Sequence, residues 1–298
     1  MPSLRPLLPL LLAVTAVSCS GGGSGGGSGN GSLTLAVTDA PVDGADAVSV
    51  TFVAITVKPV SGESITIDLD TPRTLDLLSL SGTRSENLLG DENLAAGRYE
   101  WLRLDLDEAL SAITVAGQQY PLTIPGSART GLKLNRGFTI AEGAQTSFTV
   151  DFDLRKSVHR TGNGAYIMRP TLRIVDTLAA GSIAGSVSAT LVGNTQTCFS
   201  ESGDVQAFVY VYAGSDTEPH DVNIDGQGDG PVSTARVTLD GSGNYVYTAG
   251  FLEPADYTVA LSCDAASDDP DRSDTLTYLI SGSATVSAAQ TTVFDFGV

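Results

Sequence analysis

Beyond residue 32 the chain alternates apolar and polar residues with a period of two almost without interruption. Leu33, Leu35 and Val37 share one side, and Val48, Val50 and Phe52 repeat the pattern and run on into Ile55-Thr56-Val57. Further runs fall at Ile65–Leu69, at Tyr99–Leu106 with Leu102, Leu104 and Leu106 in phase, and at Ile113–Val115, Tyr120–Ile124, Leu132–Leu134, Phe138–Ile140, Phe148–Leu154 and Tyr166–Val175. Alternation of this kind, cut by Gly, Pro, Asn and Asp, builds short strands with one buried face. No segment keeps a 3.6-residue period for long. Ser85–Ala96 is the best helical candidate, and Gly90 interrupts it. The expected fold class is all-β: two antiparallel β-sandwich domains in tandem, preceded by a lipoprotein signal and a Gly/Ser linker.

The front of the chain has a different character. Leu7–Val17 is apolar and follows Arg5, the only charge before Asp39. A membrane-spanning helix needs about 20 apolar residues, so this run suits a secretory signal peptide over residues 1–18. Ala16-Val17-Ser18-Cys19 resembles a bacterial lipobox, which implies that Cys19 is lipidated and becomes the mature N-terminus. Ala16-x-Ser18 would also suit ordinary signal peptidase, leaving Cys19 as a free thiol. With Cys19 in a thioether, the remaining cysteines, Cys198 and Cys263, form an even pair in an oxidising compartment and are expected to bond. Ser20 behind the cysteine implies, by resemblance to lipoprotein sorting, the outer membrane. The Gly/Ser tract that completes residues 19–32 cannot bury apolar surface; as a coil it would reach roughly 20 Å.

Charge narrows the partners. The chain has 34 acids and 16 bases. Leu33–Thr177 holds 18 acids and 13 bases, whereas Leu178–Val298 holds 16 acids against only Arg236 and Arg272. That balance excludes nucleic acid and anionic lipid surfaces, which basic clusters attract. The charge step and the Ala179-Ala180-Gly181 junction divide the body into residues 33–177 and 178–298, each large enough for its own core.

Thr38-Asp39-Ala40-Pro41, Asp76-Leu77-Leu78, Leu94-x-x-Gly97-x-Tyr99, Tyr120-Pro121-Leu122, Leu132-Lys133-Leu134, Asp151-Phe152-Asp153-Leu154-Arg155-Lys156-Ser157 and Arg169-Pro170-x-Leu172-Arg173 follow one another in an order that resembles domain-of-unknown-function family 4382. The resemblance implies a lipoprotein and a fold, and no established activity. Within these blocks Asp39 reads as a turn former before Ala40-Pro41. Asp151, Asp153 and Arg155 fall on one side of a strand, either as a solvated face with cross-strand ion pairs or as an ion or ligand site shared with Asp39. Trp101, Arg103, Asp105 and Asp107 share a face that reads either as a sugar platform or as packing under a loop or second sheet.

In the second domain strands are expected at Ile183–Val187, Val205–Tyr212, Ala235–Leu239, Asn244–Thr248, Tyr257–Ser262, Thr275–Ile280 and Thr285–Phe296. Gly181-Ser-Ile-Ala-Gly-Ser-Val187, Leu239-Asp-Gly-Ser-Gly-Asn-Tyr245 and Gly250-Phe-Leu-Glu-Pro-Ala-Asp-Tyr257 resemble the carboxypeptidase-regulatory-like (prealbumin-like) sandwich, a carbohydrate-binding-like fold that serves as a non-catalytic accessory. Cys198 and Cys263 follow the first and fifth of these strands, close enough in such a sandwich for a bridge. Asp221-x-Asn223-x-Asp225-Gly226-x-x-Asp229 matches the front of a calcium loop, with alternating oxygens and a Gly for the turn. Val232 stands where a bidentate Glu belongs, so the alternative is a turn-rich acidic loop. Ser267–Asp274 is a second acidic loop without ligand spacing.

No catalytic constellation emerges: no HExxH, no phosphate-cradling loop, no nucleophile elbow, and two isolated histidines, His159 and His220. The sequence therefore points to a non-enzymatic, monomeric lipoprotein, anchored in the bilayer by its acyl chains. It would bind a glycan or another extracellular polymer without a cofactor; the alternative is a calcium-dependent adhesion or scaffold protein whose partner is another envelope protein.

Overall fold

The computed structural model describes residues 29–40, 44–126, 131–193, 196–223 and 230–297. The signal, Cys19 and nearly all of the tether lie outside the described residues, as do Asp225 and Asp229. Strands dominate, and no described helix is long and apolar enough to cross a membrane.

The first unit holds β1 (Asn30–Ala40), β2 (Ala47–Pro59), β3 (Ile65–Asp76), β4 (Glu86–Ala95), β5 (Gly97–Leu106), β6 (Ala112–Val115) and β7 (Gln118–Thr123). It continues with β8 (Leu132–Leu134), β9 (Phe138–Ile140), β10 (Gln145–Asp153), the single helical turn α1 (Leu154–Ser157), β11 (Val158–Arg160), β12 (Tyr166–Met168) and β13 (Leu172–Asp176). One sheet has the order β13-β10-β1-β4; the other runs β11-β12-β7-β6-β2-β5-β8, with β3 on β2 and β9 on β5. The alternation read from the sequence supplies the core. Leu33, Leu35 and Val37 of β1, Val48, Val50 and Phe52 of β2, and Leu102 and Leu104 of β5 are fully buried between the sheets. Phe52 meets Phe152 edge-on at 6.1 Å.

The second unit is a four-on-four sandwich of β14 (Gly181–Val187), β15 (Phe208–Ala213), β16 (Ser233–Arg236), β17 (Thr238–Leu239), β18 (Tyr245–Leu252), β19 (Ala255–Ser262), β20 (Tyr278–Val286) and β21 (Thr291–Val293). Its sheets are β17-β18-β14-β21 and β16-β15-β19-β20. Cys198 and Cys263 are bonded to each other inside its core, the pairing expected from the sequence. β15 is buried on both sides: Val209 and Val211 enter the inter-sheet core, while Phe208, Tyr210 and Tyr212 form a second aromatic cluster on the outer face with Val222, Ala260 and Ala265.

The all-β expectation holds, and most pairings are antiparallel. Three are parallel: β1 with β10, β7 with β12, and β14 with β21. Ser85–Ala96 is not helical; it is β4, antiparallel to β1. Leu33 pairs with Glu92 and Leu35 with Leu89, so β4 carries one extra residue there, and Asp91 adopts φ +53°. That bulge breaks the two-residue rhythm of Leu88, Leu89 and Leu94, which is why the segment imitates a helical stripe. Thr275–Ile280 and Thr285–Phe296 are likewise redrawn: β20 runs unbroken through Ser281-Gly282-Ser283, and β21 follows after a turn.

Candidate functional site

The residues with the most chemistry gather where the two units meet. At the end of β10, the Asp153 carboxylate accepts the Lys156 amide at 3.1 Å, and the Ser157 hydroxyl donates back to the Asp153 carbonyl at 2.5 Å. An Asp cap of this kind turns the chain out of the strand into α1. Arg155 therefore leaves the period-two face expected of it and points into the second unit. It is 3 % exposed, with its guanidinium 4.3 Å from the Phe208 ring centre and 5.8 Å from that of Tyr210. Its Nη1 donates to the Ala265 carbonyl at 2.9 Å. Lys156 donates to the Pro231 carbonyl and lies 3.2 Å from Asp153. On β11, His159 Nδ1 is 3.0 Å from the Asp271 carboxylate, with Arg169 at 3.7 Å from the same group.

The outer face of the β1/β10 sheet is part of this seam. β1 contacts β16, and the Arg173 charge acts on the Tyr257 hydroxyl across it. Asp151 accepts from Arg173 Nε at 2.7 Å; the cross-strand ion pair expected from the sequence forms, but buried rather than solvated. Further along, Arg136 reaches Glu253 at 2.9 Å, with both side chains about half exposed. Such a pair contributes less than about 1 kcal/mol.

Gly250 marks a close approach of the two units. A Cβ there would stand 2.1 Å from the Gly82 carbonyl oxygen and 3.2 Å from the Thr83 Cα, both backbone atoms of the first unit. Gly250 is therefore required by the seam and not by its own strand. Gly250→Ala is expected to weaken the union by about 2 kcal/mol, the usual size of an overpacking penalty. Chemical denaturation should show this as earlier separation of the units, while both cores stay folded.

Beside that contact an open cleft of about 960 Å³ runs between the units. Asp46 and Arg84 line it from the first, and Asp204, Gln206, Arg236 and Thr248 from the second. Asp46 accepts the Gly117 amide from the turn between β6 and β7 at 2.7 Å, and Asp204 accepts the Ser202 hydroxyl at 2.6 Å within its own turn. The Arg84 side chain donates to Ser81, at 3.2 and 3.4 Å. The Arg236 guanidinium lies 4.7 Å from the Phe208 ring centre.

One oxygen each of Asp221, Asp268 and Asp274 lies within 4.8 Å of the others. Asp268 accepts the Tyr210 hydroxyl at 2.7 Å and the Val222 amide at 3.1 Å; burial raises its pKa above the usual carboxylate range. Of the calcium loop expected from the sequence, Asp221 and Asn223 are described, and Asp225 and Asp229 lie outside the described residues. Asp221 faces two acids of the Ser267–Asp274 loop, to which the sequence assigned no ligand spacing. A hard cation could be held by these three carboxylates. No local spacing could have joined residues 221 and 274.

The remaining sequence candidates have ordinary roles. Lys133 Nζ sits 4.5 Å from the centre of the Trp101 ring, Arg103 pairs with Asp105 at 2.7 Å, and Asp107 caps a short turn through the Ala109 amide. One ring face of Trp101 is therefore occupied. Asp39 is no turn residue: it lies within β1, 4 % exposed.

Comparison with solved structures gives distant matches. The Bacillus anthracis TIE protein aligns with 90 % of this chain and 34 % of its own at 8 % identity, TM-score 0.21. A leucine-rich repeat protein from Bacteroides thetaiotaomicron aligns with 91 % of this chain and 26 % of its own at 13 % identity, TM-score 0.22. The chain thus spans about a third and a quarter of the length of these two. A putative cell adhesion protein from Bacteroides fragilis aligns with 89 % of this chain and 91 % of its own at 10 % identity, TM-score 0.23. TM-scores at this level do not assign a shared fold. No curated protein matches the sequence. Residues 30–170, nearly the whole of the first unit, match the model of the family described as "Domain of unknown function (DUF4382)".

Proposed function

We propose that this protein is a non-catalytic binding module of the bacterial envelope, a monomer held in the outer membrane by a lipid on Cys19, whose two strand units present the cleft between them to a neutral glycan or a similar extracellular polymer. The observation that carries this reading is the cleft itself. It lies at a junction crossed by the Arg155–Ala265 hydrogen bond and the Gly82–Gly250 approach, and forked polar side chains line both walls. Sugar hydroxyls donate and accept at once, and guanidinium, carboxylate and amide forks match neighbouring hydroxyls in pairs. A cleft between units is also where ligand sites commonly form. The net charge of −18 repels polyanions and favours an uncharged polymer. The four-on-four arrangement of the second unit supports its reading as a carboxypeptidase-regulatory-like sandwich, which belongs to a carbohydrate-binding-like fold group; the lining of the cleft, not the fold, carries the ligand assignment.

The convergence of Asp221, Asp268 and Asp274 favours a second reading: a calcium-dependent adhesion or scaffold protein for another envelope protein. One experiment separates the two. The full-length lipidated protein in detergent is applied to a glycan array with calcium or with chelator, and compared with Arg84→Ala and Gln206→Ala. Binding that survives chelation and falls at least tenfold in both variants supports the cleft. Capture of an envelope protein that is lost on chelation, with no glycan retained, supports the second reading. An array that stays blank in calcium and in chelator overturns the glycan assignment.

A further inference from the structure

Among the described side chains of β1, Asp39 is the one that contradicts its surroundings. Leu33, Leu35 and Val37 face the core of the first unit, and the same alternation carries Asp39 inward beside its register partner Phe152. It is 4 % exposed, and neither carboxylate oxygen makes a hydrogen bond of normal geometry. The Leu154 amide is near enough to favour the charged form without forming such a bond.

The cations around it are engaged elsewhere. Arg173 serves Asp151, Lys156 serves Asp153 and the Pro231 carbonyl, and Arg155 is turned onto Phe208 and Ala265. The acids whose charges act on Asp39 are Asp151 and Asp153 from β10, on the other face of the sheet, and Asp76 from the end of β3, whose carboxylate accepts the Val48 amide at 3.0 Å. An unpaired carboxylate in such a place is strongly disfavoured and takes up a proton instead.

Its position gives the proton a consequence. Asp39 forms a parallel bridge with Ser81, and the neighbouring Thr38 hydroxyl lies 2.8 Å from the Leu80 carbonyl and 2.7 Å from that of Arg84. The segment so held, Ser81–Arg84, packs on Gly250 and forms one wall of the cleft. On the other side, Asp153 and Leu154 open the turn that delivers Arg155 to the second unit. Asp39 thus lies beneath two of the fastenings that join the units.

We infer that Asp39 is a proton-held latch: as the neutral acid it keeps the end of β1 packed under the seam, and on ionisation it pulls that strand end toward water and loosens Ser81–Arg84 from the second unit. The inference concerns the seam and holds whether or not the cleft takes a glycan. Burial first, then the Asp151 and Asp153 carboxylates, push the Asp39 carboxyl well above the ordinary value of 3.8. Below that value both folded and unfolded chains hold the proton, and the group has no effect on stability. As pH rises past it, the unfolded chain ionises first, and the fold loses stability until the raised folded value is passed.

The test compares wild type with Asp39→Asn, which keeps the shape and removes the charge. Melting is measured at pH 4 and pH 8, and amide exchange of residues 80–84, corrected for intrinsic rate, at pH 5 and pH 8. The expected results are equal melting temperatures at pH 4 and a variant higher by about 3 °C or more at pH 8. Protection of residues 80–84 in wild type should fall about tenfold between pH 5 and pH 8, and less than half of that loss should remain in the variant. An equal melting difference at both pH values, or a loss of protection unchanged in the variant, overturns the latch. Should the variant fail to fold, carbon NMR titration of the wild-type Asp39 carboxyl decides: a midpoint below about pH 5 refutes the inference, and any higher midpoint upholds it.

Discussion

Arg155→Ala is expected to split the unfolding of this protein into two transitions. Each unit has its own core, so losing the seam need not unfold either one. The substitution removes a charged donor from the Ala265 carbonyl and a desolvated cation from the faces of Phe208 and Tyr210. A hydrogen bond to a charged group contributes about 1.5–3 kcal/mol and a desolvated cation–π contact about 2 kcal/mol. Because the two are not additive, the expected loss is about 3 kcal/mol. Arg155→Lys keeps the charge but not the flat guanidinium, and should recover about half of that. Glu253→Ala, at the half-exposed end of the same seam, should change stability by less than about 1 kcal/mol. Denaturant unfolding followed separately in each unit reads all three. A single transition with an unmoved midpoint in Arg155→Ala would show that the units are held together by something else.

Opening the Cys198–Cys263 bond is expected to have a still larger effect, confined to the second unit. The two cysteines are 65 residues apart in sequence, and closing a loop of that length stabilises by about 4 kcal/mol in the chain-entropy model. Both lie in the core of the sandwich, at 0 % and 4 % exposure, so serine at these positions would also bury two hydroxyls. The double variant Cys198→Ser/Cys263→Ser should melt its second unit about 10 °C or more below wild type. The first unit, which holds no cysteine among its described residues, should keep its own midpoint. A shift of less than about 2 °C would mean that the unfolded chain is already compact at this loop, leaving the bond little entropy to remove.

The seam also explains why the acidic second unit spends so few bases. Arg236 and Arg272 are its only cations, while Arg155, Lys156, His159 and Arg169 approach it from the first unit. The charge step that marks the domain boundary in the sequence is thus an arrangement of complementary surfaces in the folded protein. Short-range steering of this kind favours one docking geometry over others.

Strand content was legible because alternation is a local property: Leu33, Leu35 and Val37 declare a buried face without reference to any other segment. The same holds for the cysteine pair, set by counting. Where a partner strand decides, local reading fails. β4 looks helical until β1 imposes its bulge, and β20 continues through a Ser-Gly-Ser that reads as a turn. Asp39 and Arg155 fail for the same reason. One continues an apolar alternation into the core; the other leaves its strand because Asp153 caps a turn.

The sequence by itself thus determined that the chain folds as strands with a bond between Cys198 and Cys263, because periodicity and cysteine number are written in order along the chain. Only the tertiary structure decided that Asp221 meets Asp268 and Asp274, that Gly250 must lack a side chain, and that Arg155 closes the aromatic cluster of the other unit. Those facts join residues from 47 to 168 positions apart. Which of the many available surfaces meet is settled by the packing of whole sheets, and no local spacing encodes it.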